Sequence, residues 1–244
     1  MLSIELQGGI GNQLFQLAAL ESIATKNGKS MVRSTDISPR TGHSAADYFQ
    51  TILLEWKKLP IHPAPTVSYL EPSFHYQEWN IPEQSAQLRG YFQNHRYISD
   101  SFEKSLWLPN MPILDGAFLH IRGGDYVNHS LHDVHPVHYY ERAIQQFPVD
   151  TMFYIFTNDV AYAKTMPFLS TIRHTFVEEP DEIRVLSLMK NCTRGGICAN
   201  STFSWWGAYL NRKNRTLVLP NTWFNEPTIY IAGYFFPEAI ICPC

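Results

Sequence analysis

The chain has 244 residues, 45% hydrophobic and 17% charged, with a formal net charge of −3; it is long enough to bury one large core or two compact α/β lobes, and its composition excludes extensive disorder. Lys and Arg number 9 against 10 Asp and Glu in residues 1–112, and 10 against 12 in 113–244, so no basic lobe exists to bind nucleic acid or an anionic membrane. No stretch approaches the roughly 18 apolar residues of a membrane span and no leader pattern opens the chain. The expectation is a cytoplasmic protein without stable membrane insertion, in which a few placed groups hold any anion. Its four cysteines, Cys192, Cys198, Cys242 and Cys244, fit neither a disulfide framework nor a common zinc spacing and read as plain thiols.

LSIEL (2–6) reads as a strand, GGIGNQLF as its corner, a helix follows over about 12–26, and KSMVRS (29–34) reads as a second strand. From 38 to 82 the prolines Pro39, Pro60, Pro63, Pro65, Pro72 and Pro82 interrupt any periodicity and suggest long loops. LPNMPILDG (108–116) is the candidate junction, dividing the chain into lobes 1–112 and 113–244. Beyond it, strands at 116–122, 151–157, 173–178, 195–199 and 216–220 alternate with helices near 137–147, 160–169, 182–190 and 202–212. That rhythm predicts parallel sheets of βαβ units in a doubly wound architecture. Val137, Tyr140, Ile144 and Phe147, and Phe203, Trp206 and Leu210, fall at helical spacing and read as core stripes.

Four corners and one histidine run carry candidate chemistry. In GGIGNQLF, Gly9-x-Gly11 begins a dinucleotide fingerprint, but Leu14 stands where the third glycine belongs, and no Lys-Ser/Thr follows to make a P-loop. Asp36 keeps an NAD-type reading open as the ribose-binding acid. The turn otherwise offers close backbone approach, helix N-terminal N–H groups and the amide of Asn12, or is a glycine corner with Asn12 as cap. HIRGGDY places His120 and Arg122 on one strand face, with two glycines leading to Asp125; Arg122 either grips phosphate oxygens or pairs with Asp125 to lock the turn, or both. NSTFSWW brings Asn200, Ser201 and Thr202 to a helix start, an anion site without net charge or simply a cap. TND ends a strand with Asp159, a hydrogen-bond acceptor for a base or ribose, or again a cap. His129, His132, His135 and His138 recur every third residue, but Pro136 forbids one helix through all four and the period is not that of a zinc helix; a solvent-facing loop, acceptor binding or proton transfer suits them better. Three strand-to-helix corners and an arginine, with no Asp-x-Asp, point to metal-independent handling of a nucleotide diphosphate.

GGIGNQLFQ, HIRGGDY, TND and NSTFSWWGAYLN, in that order and spanning nearly the whole chain, resemble the α-1,2-fucosyltransferase family, relatives of the protein O-fucosyltransferases. The resemblance implies a GT-B-type α/β fold, two Rossmann-like lobes facing across a cleft, the first serving the acceptor and the second binding GDP-fucose. It implies inverting, metal-independent transfer of L-fucose to a hydroxyl of an acceptor glycan, in α-1,2 linkage to galactose, with no cofactor beyond the donor. By position, Arg122 would hold the β-phosphate and stabilise departing GDP, and Asn12, beside Gly9 and Gly11, would reach the phosphate or fucose. Ser201, Thr202 and Phe203 would bind phosphate and flank the nucleoside, and His120 and Asp159 would contact guanosine. Asp125, Asp36 and His135 are candidate bases by chemistry. The family usually reads His-x-Arg-Arg-x-Asp, and here Gly123 replaces the second arginine. That departure keeps open a nucleotide-sugar or glycan-binding module that has lost catalysis, beside the NAD-binding oxidoreductase.

Overall fold

A computed structural model describes residues 1–34, 48–134 and 137–244; Asp36, Pro39, His135 and Pro136 lie outside the described residues. The chain divides into two compact units, Met1–Trp107 with Tyr230–Tyr234, and Leu108–Ile229 with Phe235–Cys244. The return of 230–234 to the first unit has no signal in the local pattern, which marks only the proline-flanked segment 108–116.

In the first unit, β1 (Leu2–Ile4) leads through the glycine corner into α1 (Ile10–Lys26). Short strands β2 (Arg33–Ser34) and β3 (Ile61–His62) pair with each other, while β4 (Ser68–Leu70) and β5 (Ala86–Arg89) join β1 in a parallel sheet of order β1-β5-β4. α2 spans Asp100–Ser105, capped by the Ser99 hydroxyl. The central strand β5, AQLR, lies in a stretch with no strand-like alternation; Ala86, Gln87 and Leu88 are nonetheless buried, because the strand is covered on both faces. KSMVRS contributes only β2 and one bridge at Met31.

The second unit contains β6 (Ala117–Ile121), α3 (Val137–Ile144), β7 (Met152–Thr157), α4 (Val160–Ala163), β8 (Arg173–Phe176), α5 (Glu182–Lys190), β9 (Gly195–Ile197), α6 (Thr202–Leu210), β10 (Thr216–Pro220) and β11 (Ala239–Cys242). All pairings in its sheet are parallel, in the order β11-β10-β9-β6-β7-β8. Numbered within the unit, this is the 3-2-1-4-5-6 order of dinucleotide-binding sheets, whose direction of winding reverses between β6 and β9. The crevice outside the carboxyl ends of these two strands is therefore the ligand position that topology favours.

Three local expectations shift. The helix expected over 160–169 stops at Ala163, and Pro167 opens a separate 3-10 turn, since proline obstructs continuation of the helix preceding it. In α6 the core face is Trp205, Trp206 and Tyr209, while Phe203 and Leu210 are half-buried; a helix enclosed on most sides defines no single stripe. In α3, Tyr139 and Ala143 join Tyr140 in the core. All four cysteines are free thiols, and no helix among the described residues is long and apolar enough to cross a membrane.

Candidate functional site

At the carboxyl end of β6 the chain runs from buried His120 to Arg122 and then turns through Gly123 and Gly124. This turn is clamped to the end of β7. The Gly123 N–H donates to Asn158 Oδ1 at 2.9 Å, Asn158 Nδ2 donates back to the Gly123 carbonyl at 3.3 Å, and the Gly124 N–H donates to Asp159 Oδ2 at 3.3 Å. Asp159 Oδ1 meanwhile accepts from the Tyr162 N–H at 2.9 Å, making Asp159 the N-cap of α4. Gly124 has φ +60, which favours glycine.

Arg122 is oriented from two sides. Its Nη2 donates to Asp125 Oδ1 at 2.7 Å and its guanidinium lies 4.7 Å from the Tyr126 ring centre, while Nε is buried with no partner. The Arg122 side chain is 19% exposed and that of Asp125 59%, so the carboxylate lies at the rim and the guanidinium farther in. Behind Tyr126, His132 stacks at 4.6 Å and Phe224 closes on His132 at 5.6 Å. Asn200 ties this wall to the β9 corner, its Nδ2 donating to the carbonyls of His132 at 2.9 Å and Trp223 at 3.0 Å.

Past the end of β9, Ser201 holds the N-cap position of α6, yet its hydroxyl makes no capping hydrogen bond. The start of α6 thus follows the strand that pairs with β6, which sets the positive end of its dipole at the same edge of the sheet. Phe203, in the first turn of α6, faces the His120 ring at 6.0 Å. Burial, aided by the Arg122 charge, lowers the His120 pKa to about 3, so its imidazole is neutral, and its Nδ1 is buried without a partner. The strand ends are braced from below by two phenols. Tyr140 donates to the His120 carbonyl at 2.7 Å, and Tyr139 donates to those of Cys198 at 2.7 Å and Val218 at 3.0 Å. Tyr139 supports the site and escapes a motif reading, the Tyr-Tyr pair in α3 being the available signal, whereas Tyr126 and Asn158 stand inside HIRGGDY and TND and His132 inside the histidine run.

The structure thus brings His120, Arg122, Asp125, Asp159, Ser201, Thr202 and Phe203 to one edge of one sheet. The histidines separate: His132 stacks on Tyr126, His138 meets Glu141 at 3.1 Å, and among the described residues no three His, Cys, Asp or Glu side chains are placed to share a metal ion.

Gly9, Gly11 and Asn12 belong to the first unit. Gly9, not Asn12, is the N-cap of α1, and Gly8, with φ +77, makes the turn; a Cβ there would sit 2.3 Å from Asn12 Nδ2. Asn12 Oδ1 accepts from Gln93 Nε2 at 2.7 Å, and Gln93 Oε1 accepts from the Tyr234 hydroxyl. Gln16 fixes the same corner, accepting from the Gln7 N–H at 3.1 Å and donating to the Gly90 carbonyl at 3.1 Å.

Residues 114–235, half of the chain, match the model described as glycosyl transferase family 11. WbnK, an O-antigen biosynthesis glycosyltransferase of Escherichia coli, is 34% identical over 125 residues, 43% of this chain and 38% of WbnK, so the match spans under half of that relative's length. An alpha-1,2-colitosyltransferase of Escherichia coli is 25% identical over 268 residues, covering 91% of each chain. Among solved structures, the fucosyltransferase NodZ of Bradyrhizobium superposes with a TM-score of 0.53 at 12% identity, over 86% of this chain and 93% of that one. A NodZ crystal was soaked with GDP-fucose. The structural likeness establishes the fold, the two-lobed α/β class of the GT-B type.

Proposed function

This chain belongs to glycosyl transferase family 11, and on that premise we propose that it transfers L-fucose from GDP-fucose to a hydroxyl of a glycan acceptor, galactose in α-1,2 linkage, with inversion and without a metal ion. One observation carries the reading: Arg122, with its Nε buried and unpartnered, follows the strand β6 next to which β9 leads into α6, at the point where the strand order reverses. In this reading the second unit holds the donor through His120, Arg122, Asp159, Ser201, Thr202 and Phe203, the first unit serves the acceptor, and the Gly9–Asn12 corner serves the transferred sugar.

As the bond from fucose C1 to the β-phosphate oxygen breaks, its electron pair passes to GDP. Arg122 and the N–H groups of the α6 start stabilise that growing charge. The acceptor oxygen forms its bond to C1 from the opposite face and gives its proton to solvent. Asp125 serves chiefly as the anchor of Arg122, since its carboxylate already accepts from that guanidinium. Crowding by the β7–α4 corner accounts for glycine at position 123, since that corner occupies the space a side chain would need.

A second donor is favoured by the relative covering 91% of both chains, a colitosyltransferase; colitose is a 3-deoxy form of fucose. GDP release and product mass, measured with GDP-fucose and GDP-colitose on galactosides, separate the two. Arg122→Ala removes two charge-assisted bonds of about 1.5–3 kcal/mol each and is expected to lower kcat/KM at least about a hundredfold with the fold intact. Wild-type turnover in that variant, or loss of activity in EDTA with recovery in Mn²⁺, refutes the mechanism.

A further inference from the structure

Glu71 directly follows β4, at the carboxyl edge of the first unit's sheet. Its Oε2 accepts from the N–H groups of Tyr91 and Phe92, both at 2.8 Å, while Oε1 is buried with no partner. The turn supplying those donors is unusual: Phe92 has φ 52, a left-handed conformation costly for an aromatic residue, and a Cβ on Gly90 would sit 2.4 Å from Glu71 Cβ. The next residue is Gln93, whose Nε2 donates to Asn12 Oδ1. One four-residue turn therefore has the Glu71 carboxylate on its N–H groups and the Asn12 amide at its end.

We propose that Glu71 is a positioning residue: its carboxylate holds the strained Gly90–Gln93 turn in the form that presents Gln93 to Asn12, and its charge state sets how firmly. The consequence for transfer rests on the reading that gives Asn12 a part in it. Ionised, the carboxylate accepts two charge-assisted bonds, roughly twice as strong as neutral ones; protonated, it places a hydroxyl at Oε1, where no partner waits. Burial raises the Glu71 pKa to about 7 against the pull of the two N–H donors, and Tyr97 is the titratable group that senses its charge. The arrangement is thus poised to change near neutrality.

The test is a ¹⁵N NMR pH titration of the whole chain, wild type and Glu71→Gln. The side-chain amides of Asn12 and Gln93 and the backbone amides of Tyr91 and Phe92 are expected to move together with a midpoint near 7, and to stay flat in Glu71→Gln. In turnover with GDP-fucose, kcat should rise through the same midpoint and lose that rise in Glu71→Gln. There kcat at high pH should fall on the order of tenfold, with KM for GDP-fucose unchanged. An Asn12 amide that does not titrate in the wild type, or still titrates in Glu71→Gln, overturns the proposal, as does a kcat profile indifferent to the substitution. Wild type inactive with every donor overturns the transferase reading instead, and the amide titration still decides Glu71.

Discussion

A Cβ on Gly123 would lie 2.7 Å from Asp159 Cβ and 2.8 Å from Tyr162 Cδ1, with Tyr162 Cβ at 3.3 Å. The backbone there, φ −116, accepts any residue, so the cost of a side chain is steric. Asp159 cannot retreat freely, because it caps α4 through the Tyr162 N–H and receives the Gly124 N–H. Overpacking costs about 1–3 kcal/mol, a weakened cap about 1, and the lost chain entropy of glycine returns about 0.4–1. The net, about 2 kcal/mol, corresponds to a fall in Tm of roughly 4–8 °C for a chain of this length. Gly123→Ala isolates this term, and Gly123→Arg restores the arginine of the family pattern at the same cost. Thermal unfolding followed by circular dichroism, with and without GDP, reads both. Combining Gly123→Ala with Tyr162→Ala should recover part of the loss, with a coupling of at least about 0.5 kcal/mol. If Gly123→Arg melts like wild type and binds GDP more tightly, the corner is not packed as described and the reasoning fails.

The raised Glu71 pKa predicts a stability difference with a definite sign. Ionisation strengthens the two hydrogen bonds to the turn, but the desolvation it costs is larger: the carboxyl moves from 4.5 unfolded to about 7 folded, so the associated global stability is full below pH 4.5 and is lost as pH rises through about 7. Urea unfolding should show wild type losing about 3 kcal/mol relative to Glu71→Gln over that window; a constant difference would count against it. His120, with its pKa lowered to about 3, should show no imidazole titration between pH 5 and 8 by NMR, and an inflection in that range contradicts its neutral, buried state. Asn200→Ala removes the side-chain donor to the His132 and Trp223 carbonyls and is expected to cost about 2 kcal/mol, measurable as a lower Cm with activity reduced by loosening of the Tyr126–His132 wall. Asp125→Asn keeps one acceptor for Arg122 but removes the carboxylate charge from the rim; it should tighten GDP binding while lowering kcat, and calorimetry showing weaker GDP binding speaks against the anchor role.

Much of the second unit was legible because its signals are local. The bounds of α5 and β10 match their sequence patterns, since capping residues and a short β-branched run are written where they act. HIRGGDY and NSTFSWW announced strand ends and a helix start for the same reason. The first unit was less legible: β5 is a polar-looking AQLR, and β11 at the other end of the chain is a four-residue edge strand, each defined by its partners rather than by its own pattern.

By itself the sequence determined the α/β class, the family resemblance, the order of the corner motifs and the chemical types they present. Only the tertiary structure decided that Asp159 caps α4 while accepting from Gly124, that Gly123 is crowded by the β7–α4 corner, and that Glu71 and Asn12 share one turn. Apart from the cap itself, these depend on groups 21 to 81 residues apart, or on the space around one atom. A linear pattern encodes propensity and periodicity within a few residues, whereas burial, and the hydrogen bonds it makes obligatory, exist only once distant segments have packed.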